Sequence, residues 1–138
     1  MKAIRKNTLL QTVTLWLLLP SFAWLPTAVY SNPAGETVIH GAVSFENDGA
    51  TLRILQDSDS ANIEWEEFSF GPGDSTIFEL SSSAAATLNR VTGGNQSIIE
   101  GLLKSNGHLF LINQNGIFVG PNGSIDIFGG VLSTLDIS

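Results

Sequence analysis

A chain of 138 residues, 43 % hydrophobic and 14 % charged, has room for one modest domain beside any targeting segment, and the absence of cysteine excludes a disulfide framework, a thiolate metal site and a cysteine nucleophile. Six Lys and Arg stand against thirteen Asp and Glu, for a net charge of −7. Lys2, Arg5 and Lys6 sit at the start, so only Arg53, Arg90 and Lys104 are left to oppose all thirteen acids, and nucleic-acid binding, which needs clustered cations on phosphate, is excluded.

The basic start, Met1 to Lys6, runs into the apolar stretch Thr8 to Leu19, and no charge appears from Asn7 to Gly35. That is the layout of a secretory signal. The uncharged run is long enough to cross a bilayer, but Pro20 and Pro26 interrupt a helix, and Gln11, Thr12 and Thr14 shorten its apolar part. Residues 1–30 therefore read as a signal peptide, cleaved after Ala28 or Ser31, and residues 31–138 as the exported domain.

From Thr37 onward Gly, Asn and Pro punctuate the chain so densely that helices have little room. Thr37–Val43, Thr51–Leu55, Asn62–Trp65 and Thr76–Leu80 are β-rich. Leu52 and Ile54 share a face opposite Arg53, and Ile63 and Trp65 alternate with Glu64 and Glu66, as in half-buried strands. Glu66 and Glu67 break this alternation ahead of Phe68 and Phe70, as a strand bulge would. Ser97–Lys104 offers apolar pairs at helical spacing, but Gly101 weakens a helix, and a strand with Ile99, Gly101 and Leu103 on one face is the better reading.

Beyond Asn106, turn glycines at 107, 116, 123 and 130 separate apolar segments too short for helices. Asn-Gly between apolar strands is also a hairpin signal, so a β-sandwich competes with a β-solenoid. Leu109–Ile112 and Ile117–Val119 are apolar on both faces, which suits parallel strands covered on both sides, with turn asparagines bonding along the stack. The interior ladders are expected at Leu109, Leu111, Ile125, Ile127, Leu135 and Ile137.

Several stretches together carry a resemblance: Trp65–Phe70, Leu88–Gly93, Asn106–Ile117 and Ser133–Ser138. In this order they resemble the secretion domain of two-partner-secretion exoproteins of the filamentous haemagglutinin and haemolysin type, over roughly residues 36 to 138. The resemblance implies a right-handed parallel β-helix with an N-terminal β cap. It also implies passage through the general secretory translocon, recognition in the periplasm by an outer-membrane barrel transporter, and delivery to the medium or cell surface. The family's Asn-Pro-Asn-Gly-Ile motif is matched by Asn113, Asn115, Gly116 and Ile117, with Gln114 in place of proline. These four, with Asn89 and Arg90, are the residues that the resemblance assigns to export. Family members continue into further coils, so the domain reads as incomplete at its C-terminus, with an open apolar edge and marginal stability; any host-cell or glycan target belongs to regions further downstream.

Enzymatic readings are weaker. A Ser-His-Asp triad built on His108 with Asp126 or Asp136 lacks a nucleophile-elbow spacing. Asp126 and Asp136 would pair as in β-helical polysaccharide-degrading enzymes, but they also alternate with Ile125, Ile127, Leu135 and Ile137 as outward residues do. The acidic stretch Asp57 to Glu67 has oxygen ligands but no calcium-loop pattern. No cofactor or metal is implied.

Overall fold

The computed structural model describes residues 32–135, so the signal segment, Asp136 and Ile137 lie outside the described residues. The described residues hold ten strands and no helix. They are β1 (Thr37–His40), β2 (Val43–Asn47), β3 (Thr51–Gln56), β4 (Ser60–Trp65), β5 (Ser75–Leu80), β6 (Ala86–Val91), β7 (Ser97–Ile99), β8 (Leu102–Ile112), β9 (Ile117–Val119) and β10 (Ser124–Ser133).

Their pairing makes a parallel β-helix. On one face β3, β5, the first part of β8 and the first part of β10 stack in parallel, and on the next β4, β6 and the second parts of β8 and β10 do the same. The third face is narrower, with β7 parallel to β9 and Phe70 bridged to Ile99. Four successive turns of chain thus lie on one another. β2 and β1 run antiparallel to β3 and β4 and form the β cap over the first turn. The hairpin reading of the Asn-Gly sites, and with it the sandwich, is overturned by these parallel registers.

Inward residues stack on inward residues because register is preserved from turn to turn, with Asn89 and Thr76 as polar rungs in otherwise apolar columns. Ile63, Asn89, Leu111 and Leu132 form one inward column, and Leu52, Thr76, Leu103 and Ile125 another. Under the cap the core is aromatic: Trp65, Phe68, Phe70 and Phe78 are fully buried, with Trp65 and Phe68 edge-on at 5.4 Å and Phe45 of β2 edge-on to Trp65 at 5.8 Å. Each such ring removes about 150–250 Å² from water, a gross gain of about 4–6 kcal/mol at roughly 25 cal/mol per Å².

Several expectations change in detail. Glu66 and Glu67 are not a bulge: β4 ends at Trp65, and the chain turns a corner there before Phe68 and Phe70 point inward again. Asn106-Gly107 and Gly129-Gly130 are not turns either, since they lie within β8 and β10, which pass from one face to the next while still extended. Ser97–Lys104 is indeed extended, but a corner at Glu100 and Gly101 divides it into β7 and the start of β8. Leu109 and Leu111 are interior as expected, whereas Ile125 is 36 % exposed and Leu135 76 %. Ile125 points inward above Leu103, but among the described residues no strand covers its other side. Leu135 lies past the end of β10 and joins no ladder.

Rungs covered on both sides should matter most. Leu111→Ala is expected to cost about 2–5 kcal/mol, and Ile125→Ala, with its side already open, less than about 2 kcal/mol. Urea unfolding of the two variants checks this, and equal losses would contradict the stacking order.

Candidate functional site

Of the residues expected to serve export, Asn113, Asn115, Gly116 and Arg90 meet at the corner between the second and third faces, where three tiers of chain lie on one another. The lowest tier is Glu66 and Glu67, the middle one Thr92–Gln96 and the upper one Asn113–Gly116. Thr92 binds the lower tier twice, its N–H and hydroxyl donating to the Trp65 carbonyl at 2.8 and 3.2 Å. Gly93 must be glycine because a Cβ there would lie 2.0 Å from the Glu66 carbonyl oxygen.

Asn113 is completely buried and organises the upper tier. Its Oδ1 accepts the Asn115 N–H at 2.9 Å, and its carbonyl accepts the Gly116 N–H at 3.1 Å, so the turn closes on both the side chain and the backbone of one residue. Its Nδ2 reaches down to the middle tier, donating to the Asn95 carbonyl at 3.0 Å and the Ser97 hydroxyl at 2.9 Å. Asn115 adds a second tie, its Nδ2 donating to the Gly93 carbonyl at 2.7 Å. Gly116 has φ +109°, which a side chain would strain, and its carbonyl accepts the Ser97 N–H at 3.0 Å. Ile117 then pairs with Ser97 at the start of β9 and packs against the core.

Asn89 and Arg90, adjacent in sequence, part company in space. Asn89 points inward and is fully buried, accepting the Trp65 indole N–H at 2.9 Å and donating to the Thr87 hydroxyl at 3.2 Å. Arg90 lies on the outer face in register with Glu64 below and Ile112 above. It lines an open cavity of about 240 Å³ with Val91, Thr92, Gly93, Ile112, Gln114 and Asn115. A neighbouring depression of about 390 Å³ follows the same corner past Glu66, Glu67 and Asn95. The exposed part of the corner thus presents a guanidinium, amides and, one tier down, carboxylates.

Of the residues considered for catalysis, His108 and Asp126 lie among the described residues and are not brought together. Asp126 stands in register with Lys104, whereas His108 aligns with Gly129 and meets the Phe128 ring edge-on at 5.4 Å. Among the described residues no group of three or more His, Asp or Glu could hold a metal ion.

Comparison with known proteins bears on what such a corner belongs to. Residues 30–138 match the model of the TPS secretion domain. The chain belongs to that family. It resembles the crystal structure of the HMW1 secretion domain from Haemophilus influenzae at 37 % identity and a TM-score of 0.74, over 78 % of this chain and 28 % of that one. It is also 35 % identical over 106 residues to a heme/hemopexin-binding protein of Haemophilus influenzae, and 31 % identical over 105 residues to the protein of that name from strain KW20. These matches take in 76 % of this chain but only 11 % and 12 % of the two relatives.

In this secretion domain the substitution of Gln114 for the family's proline is readily accommodated. Gln114 is the second residue of the Asn113–Gly116 turn, is exposed and takes no part in the hydrogen bonds that close it. Sequence reasoning missed Gly93 and Asn95, on which the motif rests, and the part played by Asn106. The Asn106 side chain occupies the place of a strand, its Oδ1 accepting the Leu80 N–H at 2.7 Å and its Nδ2 donating to the Leu80 carbonyl at 2.9 Å. A spacing of 22 residues between Gly93 and Asn115, close to one turn of the helix, was the signal available.

Two substitutions separate rigidity from tethering. Gln114→Pro is expected to stabilise by about 0.4–1 kcal/mol, because proline is favoured at this turn position and restricts only the unfolded chain. Asn113→Ala is expected to cost about 1–3 kcal/mol by leaving buried groups unsatisfied. Thermal melts of both variants check the pair of signs.

Proposed function

We propose that this secretion domain is the address of an exported protein, read in the periplasm by the recognition domains of an outer-membrane barrel transporter. Residues 1–30 bring the chain to the general secretory translocon and are then removed, and residues 31–138 are what the transporter meets. The domain carries no catalysis of its own, and the protein reaches the medium or the cell surface, where regions beyond this domain engage any host-cell or glycan target. The observation that carries this reading is that the family's motif is stacked into a single corner next to an open cavity.

Within that corner the roles divide. Asn113, Gly116 and Ile117 hold the tiers in place, Asn89 holds the Trp65 indole in the core beside them, and Arg90 and Asn115 present the surface that the transporter reads. Arg90 is one of only three Lys and Arg side chains beyond residue 30, in a chain with thirteen Asp and Glu, and so provides a distinctive charge for an acidic partner surface.

The test is secretion beside the cognate transporter, measured together with the melting temperature of the purified domain. Gly116→Ala is expected to lower both, through strain at a positive φ. Arg90→Ala is expected to reduce secretion several-fold with a much smaller loss of stability. Wild-type secretion by both variants would remove the proposal.

A further inference from the structure

Three Asn-Gly pairs occur among the described residues, at Asn106, Asn115 and Asn122, and the structure treats their side chains differently. Asn115 and Asn122 form a natural comparison. Each is exposed and is the third residue of a turn closed by the following glycine, with Gly116 N–H donating to the Asn113 carbonyl at 3.1 Å and Gly123 N–H to the Gly120 carbonyl at 3.0 Å. They differ in the amide. That of Asn115 is tied to the Gly93 carbonyl, and that of Asn106 is tied at both ends to Leu80, whereas the Asn122 side chain makes no hydrogen bond. Among the described residues its hydrogen bond is made through the backbone, the Asn122 N–H donating to Glu100 Oε2 at 3.2 Å.

We infer that Asn122 is the site at which this domain is spontaneously modified, by deamidation to aspartate and isoaspartate, and that the fold protects Asn106 and Asn115 from the same reaction. The Gly123 nitrogen attacks Cγ of Asn122, a new C–N bond forms, and the bond from Cγ to Nδ2 breaks. The departing nitrogen leaves as ammonia, taking the proton lost by Gly123. Water then opens the succinimide at one carbonyl or the other, and no oxidant or reductant is needed. Glycine in the following position adds no side chain over the attacking nitrogen, and at Asn115 and Asn122 alike that nitrogen is held in a turn hydrogen bond, so the difference in rate between them turns on how freely the side chain reaches the attacking geometry. For Asn122 that rotation breaks no side-chain hydrogen bond. For Asn115 it breaks one, which slows the reaction roughly 2- to 12-fold, and for Asn106 it breaks two within a strand.

The modification has a local consequence. Glu100 is a buried carboxylate beneath the Gly120–Gly123 turn, and a Cβ at Gly120 would lie within 1.7 Å of its Oε1. A carboxylate created at position 122 adds a second negative charge to this corner, and the isoaspartyl form lengthens the backbone just before β10.

The test uses the folded wild-type chain held in mildly alkaline buffer, with a parallel sample unfolded in urea, both digested at intervals and analysed by mass spectrometry of the three Asn-Gly peptides. Isoaspartate-specific methylation identifies the rearranged product. In the folded sample Asn122 is expected to react first, exceeding Asn115 by roughly 2- to 12-fold and Asn106 by more, and in urea the three rates are expected to converge. Reaction of Asn115 or Asn106 at the rate of Asn122 in the folded chain would overturn the inference, as would a spread that persists unchanged in urea.

Discussion

Everything in this domain depends on parallel chain segments lying in register on one another, about 4.8 Å apart, around a closed circuit. Along the strands the condition satisfies itself, because each backbone N–H and C=O meets its counterpart in the next turn. At the corners the chain leaves the ladder while the spacing must be kept, and there side chains and missing side chains do the work. Gly93 lets the backbone settle onto the Glu66 carbonyl, Asn106 replaces a strand for Leu80, and Asn113 and Asn115 bind the carbonyls of the turn below.

This constraint explains why most of the residues proposed to act in export are also needed to hold the fold together. Asn113, Gly116 and Ile117 are largely committed to holding one tier on another, and Asn89 to partnering the Trp65 indole in the core. What remains outside is small, chiefly Arg90, Asn115 and the rim of the corner cavity. A surface of this kind is only as definite as the stacking beneath it, so under the proposed reading its recognition depends on the first turns of the helix having formed. The cap reinforces the point, since β1 and β2 close the end of the helix over the aromatic cluster and present antiparallel strands at that end.

The strands were legible in the sequence wherever alternation was strict, as at Leu52, Ile54, Ile63 and Trp65, because period-two burial needs nothing beyond nearest neighbours. The solenoid was expected from segments apolar on both faces, but coverage on both sides is not the reason for them, because the outer side of these strands is open and Phe118 and Val119 are 49 % and 42 % exposed; what the parallel registers confirm is the stacking itself. The corners were less legible. Glu66 and Glu67 resemble a bulge, and Asn106-Gly107 resembles a turn, because the letters that stop a strand also let it bend. Asn89 and Arg90 looked like one feature because adjacent strand residues are inseparable in sequence although they point to opposite faces. The partners of Asn113 and Asn115 lie 16 to 22 residues earlier, a distance set by the length of one turn of the helix, which local periodicity does not reveal.

Amide hydrogen exchange on the folded domain tests the stacked arrangement most directly, since protection reports how each strand is covered. β5, β6 and β8 are paired along both edges, whereas among the described residues β1, β2 and β10 each have one open edge. The account predicts the slowest exchange at the paired amides of β5, β6 and β8, and faster exchange at those of β1, β2 and β10. Protection in β1 or β10 equal to that in β6 and β8, or rapid exchange at the centre of β8, would contradict it.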